Sequence, residues 1–293
     1  MGMPDRVRTR RSLVLAVLVT VLGLVGLARQ RETRATERFV DRLLGEGTAS
    51  EQRRDGTDAR VDVPHPVRRY LETVLPDDVH RPQSVRLEQE GQLRIGGPES
   101  PWKPFTATHH ATIARPGFVW DAVVEFVPFV SVRIRDAFVD GAGSARVTLL
   151  GAVPVAGAGP TPELNEAELQ RYLAEAVWYP TALLPRNGVR WEPLDDRSAR
   201  ATLDDGETTA SLTFHFSDAA DEDGGVEIDR VHTERRYRRV ADGFEPTPWT
   251  GLWREYERHG GVRVPTEGEV VWHLPDGDVH AWRGQVTAIE REP

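Results

Sequence analysis

Cysteine is absent from this chain of 293 residues. Its absence excludes disulfide bonds, cysteine nucleophiles, thiolate metal sites and the acylated cysteine of a bacterial lipoprotein. Sequence motifs of common enzymes are absent too: there is no glycine-rich phosphate loop, no Gly-x-Ser-x-Gly elbow and no His-Glu-x-x-His. The sequence therefore predicts no catalytic residue, no metal ligand and no cofactor.

Lysine is nearly absent, since Lys103 is the only one and the remaining 36 basic residues are arginines. We interpret this bias as the codon usage of a GC-rich genome. The whole chain carries a net charge of −9, and its first 28 residues carry +3. Residues 29–293 therefore carry −12. A surface this acidic disfavours nucleic acid as a partner, because phosphates require a basic face.

One long apolar run is present, Ser12–Ala28, and it follows four arginines within residues 1–11. Its 17 uncharged residues reach the lower end of the range that spans a bilayer. We predict a cytoplasmic tail at 1–11 and a transmembrane signal anchor at 12–28. The alternative is a signal peptide cleaved after Gly26-Leu27-Ala28. A short basic N-terminal tail favours retention in the cytoplasm, which places the large domain outside the cytoplasm at the cell membrane.

The segment that follows, 29–60, is predicted to be a juxtamembrane helix and a flexible linker. A sparse apolar stripe at Phe39, Val40, Leu43 and Leu44 indicates the helix, and residues 45–60 show no apolar periodicity. The folded domain is then 61–293.

Alternating apolar residues with short Gly- and Asp-rich turns dominate residues 61–293, interrupted by an amphipathic helix that begins near Thr161 or Asn165. This pattern predicts an α+β domain: a curved antiparallel half-barrel of about ten strands with a covering helix, preceded by the N-terminal transmembrane helix. Large antiparallel sheets curl rather than stay flat, and half-closed barrels commonly enclose an apolar cavity.

Aromatic residues are the most informative side chains. Seven of the eight tryptophans lie between Trp120 and Trp282. We predict that a hydrophobic ligand, a lipid or an acyl chain, is bound by residues on the concave face and at the end of the covering helix: Trp120, Val124, Phe126, Trp178, Tyr179, Trp272 and Trp282.

Two other functions stay open. A tightly packed concave face would indicate a structural or partner-binding module of the cell envelope. A polar cleft around His232 and Glu234, which share a strand face, would indicate a hydrolase-type enzyme. A solvated strand face is the simpler interpretation of that pair.

The helix block Arg171–Leu184, RYLAEAVWYPTALL, resembles the signature of an uncharacterised family of bacterial and archaeal proteins. Trp102–Phe105, Pro116–Trp120 and Pro248–Gly251 resemble further motifs of that family, and the similarity covers about residues 64–290. The resemblance implies no activity.

A second resemblance concerns architecture. Tyr256, Gly261–Pro265 and Glu269–Trp272 are similar to the last strands of the LolA/LolB-like lipoprotein carriers. That resemblance implies a half-barrel with a helical lid that holds acyl chains. The missing acylated cysteine departs from LolB-type members and the anchor departs from soluble LolA-type members. These departures argue against a shuttle, whereas a tethered binder is still compatible with the resemblance.

Overall fold

The computed structural model describes residues 5–45, 63–76, 82–95, 97–128, 130–219 and 225–292; in the first helix it describes the side chains of residues 20 and 23–45 only. From residue 46 onward, the predicted linker lies outside the described residues. So do most side chains of the apolar run Ser12–Ala28.

Three α-helices occur in the described residues: α1 Asp5–Gly45, α2 His65–Val74 and α3 Pro162–Glu175. Three short 3-10 turns continue the chain after α3, at Ala176–Trp178, Pro180–Leu183 and Pro185–Asn187. The side chain of Thr161 accepts a hydrogen bond from the amide of Leu164 at 3.2 Å. Of the two predicted starts of α3, the cap is therefore Thr161, because its oxygen satisfies an amide that has no partner within the helix.

Thirteen strands form one antiparallel sheet in the described part of the chain. They are β1 Ser84–Arg94, β2 Trp102–Thr112, β3 Gly117–Val127, β4 Val130–Val139, β5 Ala142–Leu149, β6 Val153–Ala158, β7 Arg190–Asp195, β8 Ser198–Asp205, β9 Thr208–Asp218, β10 Val226–Val240, β11 Gly243–His259, β12 Val262–Leu274 and β13 Gly277–Glu292. The sheet is open, and its order is β6-β5-β4-β3-β2-β1-β13-β12-β11-β10-β9-β8-β7.

The α+β, antiparallel prediction is confirmed, but the estimate of about ten strands is wrong. Edge strand β6 carries no alternation of apolar and polar residues, and its side chains are mostly exposed. A pattern search therefore does not detect it.

The sheet curls around α3. This helix contacts β4 and β5 on one side and β8, β9 and β10 on the other. Between β5 and β9 lie nine strand spacings, about 43 Å along a flat sheet, whereas 14 helical residues span about 21 Å. One short helix touches both wings only if the sheet bends towards it, so α3 lies on the concave face.

The second half of α1 packs on the opposite, convex face. Phe39, Val40 and Leu43 contact Val119 of β3 and Val139 of β4, as the predicted apolar stripe requires. Farther towards its N-terminus, Glu32 pairs with Arg146 of β5 at 2.6 Å. No helix in the described residues combines the length and hydropathy needed to cross a bilayer.

Candidate functional site: a tryptophan-lined cavity

A cavity of about 510 Å³ lies between α3 and the concave face of the sheet. Six of the eight tryptophans line it: Trp120, Trp178, Trp249, Trp253, Trp272 and Trp282. Trp178, at the end of α3, is the centre of this set. Its ring lies edge-on to Trp253 at 5.0 Å and to Trp282 at 6.3 Å, and its indole N–H donates to the carbonyl oxygen of Pro265 at 3.1 Å.

Glycines on the strands make room for these rings. Gly251 lies between Trp249 and Trp253 on one strand face, and Gly268 lies opposite Trp253 on the next strand. A Cβ atom at Gly268 would lie 2.8 Å from Trp253 and 3.1 Å from Trp282, closer than side chains pack. The glycines therefore allow the indoles to lie against the sheet and form the cavity floor.

The structure brings four of the seven sequence-predicted ligand residues together at the cavity: Trp120, Trp178, Trp272 and Trp282. Their role in binding stays a prediction. They come from β3, the 3-10 turn that follows α3, β12 and β13. The other three lie elsewhere.

Val124 is fully buried in the core opposite Phe105 of β2, and it does not line the cavity. Tyr179 is buried as well, with its hydroxyl donating to the carbonyl oxygen of Tyr172 at 3.0 Å. Phe126 is 42% exposed and lies under the ammonium of Lys103. The pairing of β3 with β4 shifts register between Glu125 and Val127, and such a bulge interrupts the alternation from which Phe126 was assigned to the concave face.

The seven predicted ligand residues did not include Trp249 and Trp253, nor the charged side chains of the cavity wall. The spacing Trp249-x-Gly251-x-Trp253 could have identified both tryptophans as members of one strand face, because alternate residues of a strand share a face. No local pattern identifies the charged set, since its members come from separate elements: Arg94, Asp136, Arg171, Glu175, Arg236 and Arg239.

Arg171 organises one side of the cavity. Its guanidinium pairs with Asp136 of β4 at 2.9 Å and with Glu175, one turn along α3, at 2.8 Å. It also lies over the ring of Trp120 at 4.9 Å. The three charged side chains are only 14–22% exposed, so water solvates their charges poorly. The ion pairs with Arg171 therefore compensate for the lost hydration of the two carboxylates.

His109 lies behind this cluster, fully buried and stacked on Phe118 and Tyr179. Burial, reinforced by the positive charge of Arg171, holds the pKa of His109 well below its ordinary value. The imidazole is therefore neutral near pH 7, and it acts as an aromatic member of the core.

Arg236 enters the cavity from β10. Its guanidinium lies over Trp249 at 4.8 Å and over Trp272 at 5.4 Å, and it donates to the carbonyl oxygen of Ala167 in α3 at 3.3 Å. Burial lowers the pKa of Arg236 to about 10, so it stays charged at neutral pH. Burial has the opposite effect on the acid Glu168 of α3, whose pKa it raises to about 8.

The free energy of unfolding is expected to fall as the pH rises from about 4.5 to about 8, because folded Glu168 holds a proton that the unfolded chain has released. Glu168→Gln keeps the size of the side chain and removes the titration, so the fall should shrink. Urea unfolding at about pH 5 and about pH 8 measures the difference in the free energy of unfolding between the two pH values. Glu163→Gln, in the first turn of the same helix, is the control, because hydrogen bonds lower the pKa of Glu163 instead of raising it. An unchanged pH dependence in Glu168→Gln would contradict the assignment.

Residues 61–290 match the sequence profile of a family of unknown function, DUF6920. The chain belongs to this family. The membership predicted from the signature block is thereby confirmed. No curated protein matches the sequence.

Among solved structures, the chain is similar to a LolA superfamily protein from Nitrosomonas europaea, with a TM-score of 0.38, 9% identity, and coverage of 78% of this chain and 92% of that one. It is also similar to a beta-barrel-like protein of a domain of unknown function, DUF1849, from Brucella abortus, with a TM-score of 0.24, 9% identity, and coverage of 73% and 100%.

The DUF6920 chain also carries a chain of hydrogen bonds across β10, β11 and β12. Thr250 Oγ1 lies 3.0 Å from His232 Nδ1 and 2.8 Å from His273 Nε2, and His273 Nδ1 lies 2.7 Å from Asp278 Oδ1. Glu234 adds a contact to His232 at 3.1 Å.

These residues lie on the convex face, because Thr250 follows the cavity residue Trp249 on the same strand. They cannot reach a ligand in the cavity. Within the part of the chain that the structure describes, no three His, Asp or Glu side chains are grouped so that they could hold a metal ion.

Proposed function

We propose that this DUF6920 protein binds a hydrophobic ligand, a lipid or an acyl chain, in the tryptophan-lined cavity. The observation that carries the proposal is the cavity itself: about 510 Å³ on the concave face, with walls of six indoles. Small-molecule sites in proteins are typically concave and mostly apolar, with volumes of roughly 300–1,000 Å³ and a few polar groups. This cavity has each of these features.

Hydrophobic burial gives such a ligand enough binding energy. Each buried methylene contributes about 0.8 kcal/mol, so about ten methylenes contribute about 8 kcal/mol before the cost of ordering the chain. A micromolar dissociation constant requires about 8 kcal/mol net, so the cost of ordering the chain has to be offset by further buried methylenes or by contacts with the indoles. Binding would then be reversible, as a carrier or sensor of lipids requires.

The concave face also favours this function over the two alternatives. A structural or partner-binding module needs a tightly packed concave face, whereas here a cavity remains between one side of α3 and the tryptophan-bearing strands. A hydrolase acting on the cavity ligand would need its acid and base in the cavity, but His232 and Glu234 lie on the other face of the sheet.

Filling the cavity should abolish binding while leaving the fold intact. Val270 lines the cavity and is half-buried, so Val270→Trp places a seventh indole there. We expect the affinity of the full chain for a fluorescent fatty acid, measured by fluorescence titration, to fall at least about tenfold. Val123→Trp makes the same change at an exposed position of β3, and it should bind like the wild type. Saturable binding of equal strength to both variants would place the ligand elsewhere.

The second part of the proposal is that Ser12–Ala28 holds the domain at the cell membrane as a single-pass anchor, with the large domain outside the cytoplasm. The helix α1 supports it, because its backbone is continuous from Asp5 to Gly45. Arg29, just after the apolar run, donates to the carbonyl oxygen of Leu150 in the turn between β5 and β6. The turn between β1 and β2 lies at that same end of the antiparallel sheet, and Ile95 there lines the cavity. The cavity would thus open beside the bilayer.

An anchored chain should stay in the membrane fraction after a carbonate wash, and protease added to intact spheroplasts should degrade its large domain. Replacing Leu18 and Val21 with arginine should release it, because a charge in the middle of a membrane span costs about 2.5–3.5 kcal/mol. A mature protein whose sequence starts at Arg29 would instead identify residues 1–28 as a cleaved signal peptide.

A further inference from the structure

Arg236 is an unusual residue for the wall of an apolar cavity. It is only 9% exposed, and its Nε atom is buried without a hydrogen-bond partner. Two cavity tryptophans, Trp249 and Trp272, hold its guanidinium between them through cation–π contacts. A buried charge is costly unless it is paired, so this position requires an explanation.

The charges of the cavity wall do not balance. Four arginines line it against two carboxylates, and both carboxylates, Asp136 and Glu175, pair with Arg171. Among the described residues, Arg236 makes no ion pair of its own. The nearby acid Glu168 is buried, and burial keeps it protonated over much of the neutral range. The wall is thus cationic in a chain whose total charge is −9.

The other two arginines of the wall are less suited to a ligand. The guanidinium of Arg94 lies over Trp102 at 4.5 Å, a residue that does not line the cavity. Arg239 is exposed and donates to the carbonyl oxygen of Gly157 at 3.1 Å. Arg236 alone combines burial, a position among the indoles and an unused donor.

We propose that the cavity ligand is an anionic amphiphile, whose carboxylate or phosphate head binds Arg236 while its acyl chain lies along the tryptophans. The proposal rests on the hydrophobic-ligand function above and names its class of ligand. A guanidinium matches an oxyanion because its N–H donors form a planar fork, and charge-assisted hydrogen bonds are about twice as strong as neutral ones. A neutral acyl chain would leave Arg236 unpaired.

Photo-crosslinking of the full chain in a non-ionic glycoside detergent tests this. Three probes share one diazirine-bearing C16 chain and differ only in the head: a carboxylate, a phosphate monoester and a neutral alcohol. Peptide mass spectrometry then maps labelling to the cavity. For the wild type we expect at least one anionic probe to label the cavity with about tenfold or higher apparent affinity than the alcohol.

The variants separate charge from packing. Arg236→Met keeps an unbranched side chain without charge, and it should reduce labelling by the anionic probes to the level of the alcohol, with alcohol labelling unchanged. Arg236→Lys keeps the charge and should restore part of the preference. Arg200→Met, at an exposed pair on β8, is the control and should behave like the wild type.

The outcomes distinguish this inference from the function on which it rests. Equal, saturable labelling of the cavity by all three probes would overturn the anionic head and leave the hydrophobic site intact. A preference for acids that survives in Arg236→Met would also overturn it. No saturable labelling of the cavity by any probe would overturn both proposals.

Discussion

Arg171→Met is expected to lower the free energy of unfolding by about 3 kcal/mol, the lower end of the range for breaking a buried ion pair. The change removes the only ion-pair partner that Asp136 and Glu175 share among the described residues, and the two carboxylates would stay in the cavity wall. The lower end applies because these side chains keep 14–22% exposure to water.

The pH dependence identifies the cause. Burial raises the pKa of Glu175, and Arg171 opposes that rise. Without Arg171 the folded state should hold a proton on Glu175 to higher pH, so the loss of stability in Arg171→Met should grow between about pH 5 and about pH 8. Urea denaturation measures both effects. Arg200→Met, whose partner Glu192 is exposed, should cost about 1 kcal/mol or less. Equal losses in the two variants would show that the Arg171 cluster is not a buried charge network.

Gly91→Ala is expected to be the most damaging single methyl addition in the sheet, at about 2–3 kcal/mol. A Cβ atom at Gly91 would collide with the carbonyl oxygen of Arg283 and lie 2.6 Å from the Cα atom of Gly284. Both are backbone atoms of β13, so they can move only if the strand moves. The β1–β13 pair joins the two halves of the sheet, so the strain would spread beyond the site.

Gly159→Ala is the matched control, because a Cβ atom there would meet no atom within 4 Å. It should change the midpoint of thermal unfolding by little, since it removes only unfolded-state freedom. If Gly91→Ala is as stable as Gly159→Ala, then β1 and β13 do not approach as closely as the structure has them.

Local patterns predicted much of this fold. The amphipathic helix forms where the sequence pattern predicted it, and Thr161, one of its two predicted starts, caps it. Alternation also placed Trp120 correctly on the concave side, because the strand is regularly paired up to that position. These features depend on neighbours a few residues apart.

The remaining features depend on residues distant in sequence. Phe126 lies at a bulge and is exposed rather than in the cavity wall, because a bulge depends on the partner strand as well as on its own residues. Arg171 and Asp136 are 35 positions apart, and Arg236 meets Ala167 across 69. Pairings of this kind follow from the curl of the sheet, which no local window contains.

The most direct test of the cavity as a lipid site is quenching of tryptophan emission by a dibrominated fatty acid, titrated against the full chain. Bromine quenches indoles in near contact, and six of the eight tryptophans line the cavity. A bound acyl chain therefore predicts a saturable loss of more than half of the emission, reversed by an excess of the unbrominated acid and largely abolished in Val270→Trp. Quenching that rises linearly without saturation, and equally in Val270→Trp, would contradict the presence of an acyl chain in this cavity.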